Sequence, residues 1–199
     1  VSKLQLADIA DLRAYERERE DFRRHVIELK KRRRVHVGPL LTLVFENRDT
    51  IRFQIQEMAR VERLITDEAI QGELDTYNPL VPEPGQLCAT VFLELTSDAE
   101  LREWLPRLVG IERSIGLRVG GEGAELMRAE PEAAHASQLT REEITASVHY
   151  VWWQLGAIEI TALETGPVHL VVDHPEYSHA TELPPETVAE LLGDLRNGG

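Results

Sequence analysis

The sequence predicts an α+β protein, with a long N-terminal helix and several shorter helices packed on a mostly antiparallel sheet with hairpins. Three observations carry that prediction. Capping residues open stretches of helical spacing, as in "TDEAIQGELDTY" and "SDAELREWL". Apolar runs such as "QLCATVFLELT" and "VHLVVD" read as strands. The elements do not alternate as regular βαβ units, and "GGEG" marks a hairpin turn between strands.

In chain order, Asp8 with Asp11 reads as the cap of a helix from Asp8 to Lys31, about 35 Å long at 1.5 Å per residue. Its apolar stripe is narrow: Ile9, Leu12, Tyr15, Phe22, Val26 and Leu29, with a gap around Glu18 and Arg19. Such a stripe fits one-sided packing on a sheet or a helix pair across a dimer. "VHVGPLLTLVFEN" reads as strands, with Gly38-Pro39 as a kink or edge feature. "NRD" reads as a turn. Ile51, Ile55, Met58, Val61 and Ile65 then recur at helical spacing, although "TIRFQI" alternates and is equally open to extending a strand. Thr66 caps the next helix. Three prolines between residues 78 and 86 form the best internal boundary of a single domain spanning 1–199, with possible sub-lobes 1–80 and 86–199.

"QLCATVFLELT" is mostly apolar and therefore a central strand. Ser97 and Glu100 form a capping box for a helix that ends near Pro106. "GIERSIGLRVGGEGAELMRAEPE" is a hairpin turning at Gly120 to Gly123. A strand starts at about Thr145, "GAIEITALETG" leans to helix, and "VHLVVD" is a strand. "PPETVAELLGDLR" closes the chain as a helix with Pro185 in its first turn.

The 199 residues are 42% hydrophobic, enough for a real core. No apolar run approaches the ~20 residues that cross a membrane, and the N-terminus has no signal-peptide core. One cysteine, Cys88, leaves no internal disulfide and no cysteine-clustered zinc or iron–sulfur site. The expectation is a cytoplasmic protein. Net charge is −13, which argues against a general nucleic-acid binder. The charge is uneven: residues 1–34 carry +4 and the remainder −17, with no lysine after Lys31. A basic arm on an acidic body is expected to dock on its own body or on a partner subunit.

Candidate chemistry is sparse. "VGGEG" has strands on both sides and so lacks the helix N-terminus that a phosphate loop needs. Ser114 lacks the first glycine of a nucleophile elbow, and Cys88 sits in an apolar strand as an inert thiol. Glu132 and His135 form a single Glu-x-x-His match, where a di-iron site needs two. The basic run Lys30, Lys31, Arg32, Arg33 and Arg34 reads either as a phosphate or nucleic-acid patch or as cations favoured at a helix C-terminus. Strand alternation puts Trp152 and Trp153 on opposite faces, one in the core and the other at a groove or interface. "VHLVVDHPEYSHATEL" folds as two strands joined by "HPEYS", with Asp173 facing His179 and His169 facing Leu183. His169 then lies about 13 Å from Asp173, too far for a shared metal. Asp173, His174 and His179, with Glu176 nearby, remain the candidate metal ligands.

Three stretches resemble a known family: "LADIADLRAYERERE", "RRRVHVGPLLTLVFENRDTIRFQIQEMARVER" and "VVDHPEYSHATEL". They resemble the uncharacterised bacterial family called domain of unknown function 3501, over nearly the whole chain. The resemblance implies no established activity and maps no catalytic residues. The family's gene neighbourhoods, with rubrerythrin-like proteins and iron–sulfur oxidoreductases, imply an accessory role in redox or oxidative-stress metabolism.

The expected function is therefore that of a non-catalytic accessory protein acting by protein–protein contact, as a homodimer. Its contact surfaces would be Lys30 to Arg34 with Trp152 or Trp153. The alternative is a small metal-dependent or ligand-binding enzyme using Asp173, His174 and His179. No cofactor besides that metal is expected.

Overall fold

The structure, a computed structural model, describes residues 3–133 and 143–199. Helix α1 spans Leu12–Arg33 and is capped by Asp11, whose carboxylate accepts the Ala14 N–H at 2.8 Å. Asp8 instead closes a 3-10 turn at Leu6–Asp8, where it accepts the Gln5 N–H. Ile9 is extended, so the two aspartates cannot share one helix start, and the expected start at Asp8 moves to Leu12. The chain passes straight from α1 into β1 (Arg34–Val37), which forms a hairpin with β2 (Leu41–Glu46). Helix α2 (Arg48–Glu62) follows at once. Asn47 caps it by accepting the Thr50 N–H at 3.0 Å, while Thr50 Oγ1 accepts the Asn47 N–H at 2.9 Å. "NRD" is thus a helix start and not a turn, since the residues that favour turns also cap helices.

Thr66 caps α3 (Asp67–Tyr77) as expected. Strand β3 (Gln86–Leu93) leads to α4 (Asp98–Arg107), opened by the Ser97–Glu100 box and carrying Pro106 in its last turn. Strands β4 (Ile115–Val119) and β5 (Leu126–Arg128) pair across the glycine-rich turn. Then come β6 (Glu130–Pro131), β7 (Val148–Gln154), α5 (Ala157–Thr165), β8 (Val168–His174), β9 (Tyr177–Glu182) and α6 (Pro185–Asn197). This is an α+β fold.

The strands make two antiparallel sheets, where the sequence suggested one. Five strands run β1-β2-β3-β7-β6, with β3 central, and four run β5-β4-β8-β9. The division arises because β4 pairs with β8, Leu117 opposite Leu170, and not with the first sheet. Leu43, Phe45, Ala89, Val91, Val151 and Trp153 on the inner face of the larger sheet share one core with Ile115, Leu117, Leu170 and Val172 of the smaller. Each such large side chain removed from water contributes about 1.5–3 kcal/mol before ordering costs. Tyr177 of β9 ties the sheets together. Its hydroxyl donates to Val37 O at 2.6 Å and accepts the Leu40 N–H at 2.9 Å. Gly38, at φ +66°, leaves the room this needs, because a Cβ there would lie 2.5 Å from the Tyr177 oxygen.

Pleating sends Thr42, Val44 and Glu46, then Cys88, Thr90 and Phe92, then Val148, Tyr150 and Trp152 to the outer face. Helices α1, α2 and α3 cover it, with Ile51, Ile55, Leu74, Leu80 and Cys88 forming a second, smaller core. Along α1 the apolar residues Tyr15, Val26 and Leu29 are buried. The gap in its stripe is ionic: Arg19 meets Glu57 of α2 at 2.8 and 2.9 Å, and Glu18 accepts Arg52 at 2.8 Å.

Candidate functional site

Glu46 ends β2 on the outer face and is buried. Thr90 Oγ1 of β3 donates to one carboxylate oxygen and Thr50 Oγ1 of α2 to the other, each at 2.5 Å. Thr50 Oγ1 also accepts the Asn47 N–H, and its one proton faces both Glu46 at 2.5 Å and Asn47 O at 3.0 Å, the carboxylate being nearer. Among the described residues no Lys, Arg or His nitrogen lies within 4.0 Å of this carboxylate. Buried carboxylates are normally paired with a cation; this one has two neutral hydroxyls.

The carboxylate lines a cavity of about 250 Å³ between the sheet and α1–α3. Thr50, Gln54 and Thr90 add polar groups, Tyr77, Tyr150 and Phe92 add aromatic wall, and Lys30 of α1 stands at one side. The volume falls just below the ~300–1,000 Å³ of drug-sized pockets, so the cavity fits a smaller molecule. Burial, with Tyr77, Glu46 and Cys88 nearby, pushes the Tyr150 phenol up to about 12. Tyr150 therefore keeps its proton at neutral pH. Burial first, and then Glu46 and Glu132, raise the Cys88 thiol well above its usual value. Cys88 is a small apolar group of the second core and not a nucleophile. Lys30 also borders an open hollow of about 480 Å³ lined by Ile27, Lys31, Arg34 and His36. Lys30 is thus shared between this hollow and the cavity that Glu46 lines.

Another hollow, of about 310 Å³, lies between the N-terminal segment and the α2–α3 connection. Its wall combines Leu6, Ile9, Ile65 and Ile70 with Arg13 and Asp67, and one Asp11 carboxylate oxygen and the Thr66 hydroxyl there cap α1 and α3.

The residues singled out from the sequence fall in three places. In the basic run, Arg33 is buried and makes a two-pronged contact with Asp194 of α6 at 2.6 and 2.9 Å, plus one with Glu190 at 2.9 Å. Burial opposes its charge, but the hydrogen bonds and attraction of Asp194 and Glu190 outweigh burial and hold the guanidinium above its ordinary pKa. Arg32 joins Glu190 at 2.7 Å, Lys31 meets Glu28 at 2.6 Å, and Arg34 approaches Glu94 at 4.0 Å. Part of the basic arm therefore contacts the chain's own acidic body. Trp153 is buried in the main core, donating its indole N–H to Met127 O at 3.0 Å. Trp152 packs on the second core, with the Lys3 ammonium 6.0 Å from its ring.

The histidine turn is tighter than its sequence suggests. β8 and β9 are joined by Pro175 and Glu176 alone, so Asp173 faces Ser178, His179 faces Val172 and His169 faces Glu182. The register assumed from the sequence is off by one because His174 and Tyr177 belong to the strands. This places Asp173 and His179 on opposite faces of the hairpin. Asp173 accepts two bonds from Arg128, at 2.9 and 2.5 Å. His174 Nδ1 accepts the Glu176 N–H at 3.2 Å, which leaves Nε2 to donate to Val109 O at 3.0 Å. His179 packs against Tyr177, ring centres 4.5 Å apart, and Glu176 bonds Arg107. Among the described residues, no three His, Cys, Asp or Glu side chains converge as a metal site. His135, of the Glu132–His135 match, lies outside the described residues.

Sequence reasoning did not find Glu46, Thr50, Gln54, Tyr77, Thr90 or Tyr150. One local signal existed: Glu46 and Thr50 stand four apart across an Asn cap, the spacing that lets a strand-end carboxylate meet the first helical turn. Thr90, Tyr77 and Tyr150 arrive from other elements and leave no such trace.

A family model described as "Protein of unknown function (DUF3501)" matches residues 3–195. A crystal structure of a novel protein of unknown function from Burkholderia pseudomallei K96243 is similar, at 37% identity and a TM-score of 0.87, covering 98% of this chain and 100% of that one. Comparison with curated proteins gives no match. No helix among the described residues is long and apolar enough to cross a membrane.

Proposed function

The chain belongs to the DUF3501 family, whose function is unknown, so its role must be argued from the site, and we propose that it is a non-catalytic accessory protein that holds a small molecule in the Glu46 cavity. The observation that carries this reading is a buried carboxylate, without a cationic partner among the described residues, lining an aromatic-walled cavity. Catalysis has less support. The hydroxyls beside Glu46 donate to it, and Tyr150 holds its proton too firmly to serve as a base near neutral pH.

The wider setting of this reading is the bacterial cytoplasm and a contribution to redox or oxidative-stress metabolism, with a homodimer as the working form. A monomer at micromolar concentration by light scattering would remove the dimer.

The test is ligand-observed NMR with a fragment set of mixed charge, on the wild type and on Gln54→Trp, which fills the cavity from a half-buried helical position. Fragments are expected to bind the wild type and to lose their signal in Gln54→Trp. Binding that is unchanged by Gln54→Trp, or absent from both, overturns the reading.

A further inference from the structure

The chemistry of the cavity narrows what it takes, provided the cavity is the binding site proposed above. Glu46 and Asp194 are both buried carboxylates. Asp194 receives the Arg33 guanidinium in a two-pronged contact, whereas Glu46 receives one hydroxyl on each oxygen and no cation among the described residues. A carboxylate offers roughly four lone-pair sites, so two Thr hydroxyls leave both oxygens able to accept again. A planar cation with paired N–H groups matches that vacancy, for the same reason that Arg33 matches Asp194. Tyr77, Tyr150 and Phe92 line the same cavity, flat surfaces suited to a flat body. At the side, Lys30 borders both the cavity and the open hollow that holds Lys31, Arg34 and His36. An anionic group lying there would meet Lys30 first, since Lys31 already faces Glu28 and Arg34 faces Glu94.

We propose that the Glu46 cavity binds a small dipolar molecule with an amidinium- or guanidinium-type head on Glu46, a flat body against the aromatic side chains, and a carboxylate or phosphate at Lys30. Glu46 selects the head by charge and by its two-oxygen geometry. Lys30 selects the opposite end and makes binding weaken as salt rises.

Three probes test this by calorimetry on the full chain: 4-amidinobenzoate, its neutral-headed analogue 4-carbamoylbenzoate, and benzamidine, which lacks the acid. The wild type is expected to bind 4-amidinobenzoate at least about tenfold more tightly than 4-carbamoylbenzoate, and several-fold more tightly than benzamidine. Glu46→Gln should abolish the preference for amidine over amide. Lys30→Gln should shrink the preference for 4-amidinobenzoate over benzamidine. The wild-type series decides even where a variant folds poorly. Equal binding of amidine and amide by the wild type, or binding of neither, overturns the assignment of ligand class. Failure of the class alone leaves fragments that still compete with Gln54→Trp filling; failure of the cavity itself shows as no fragment sensitive to Gln54→Trp.

Discussion

Asp194 and Glu46 are equally buried, each 6% exposed, and differ in what meets them. Asp194 lies under the C-terminal end of α1 and takes two bonds from Arg33, which offset but do not outweigh the burial that raises its carboxyl above its ordinary pKa. Glu46 lies under the start of α2 and takes two neutral hydroxyls while lining a cavity. A buried pair with its charges opposed, as Arg33 and Asp194 are, holds elements in place. A buried carboxylate that meets only hydroxyls and lines a cavity is the feature on which the proposed binding site rests. The first carboxylate docks the basic arm on the body, and the second lines the cavity proposed as the site.

The contrast can be broken at either carboxylate. Arg33→Met strands Asp194 in the interior and should cost about 3–5 kcal/mol in urea unfolding; a loss below ~1 kcal/mol would deny the pair its structural role. Thr90→Val keeps shape but removes one of the two donors to Glu46, and should cost about 1.5–3 kcal/mol by the same measurement. Glu46→Gln keeps the volume and removes the carboxylate that no cation meets among the described residues. Its stability should stay within about 1 kcal/mol of wild type, or rise, as is common where a functional group is held at the expense of stability.

The smallest effect belongs to an exposed pair. Arg128 holds the Asp173 carboxyl below its ordinary value of 3.8. Its contribution is therefore complete above about pH 4 and is lost as pH falls through the lowered folded value. With Asp173 more than a third exposed, the amount is under ~1 kcal/mol. Asp173→Asn should flatten the acid limb of a stability–pH curve by that much and leave neutral pH nearly unchanged.

Much of the fold is legible in the sequence where one local signal dominates. Ser97 with Glu100, Thr66 before α3, and the apolar run of β3 each specify their element without outside help. Competing local signals misled at two places. Asp8 and Asp11 both make capping bonds, and Asn47 reads as a turn residue until Thr50 is seen to return its bond. The β8–β9 register was misplaced by one residue because a two-residue turn and a longer loop share the same polar letters, and that single step turns Asp173 away from His179. The second sheet depends on β4 meeting β8 from some fifty residues away, which no window of sequence displays. The site is the extreme case. Glu46 looks like the polar end of an apolar strand, and only the folded chain brings Thr90, Tyr77, Tyr150 and Lys30 to it.

The most direct test of the contrast pairs melting with fragment binding on Glu46→Gln and Arg33→Met. The account predicts that Glu46→Gln melts within about 2–4 °C of wild type, the shift expected for ~1 kcal/mol in a chain of this size, and loses its cationic fragments. Arg33→Met should melt far lower and, while folded, still bind them. A Glu46→Gln protein that melts as low as Arg33→Met yet binds every fragment unchanged would contradict it.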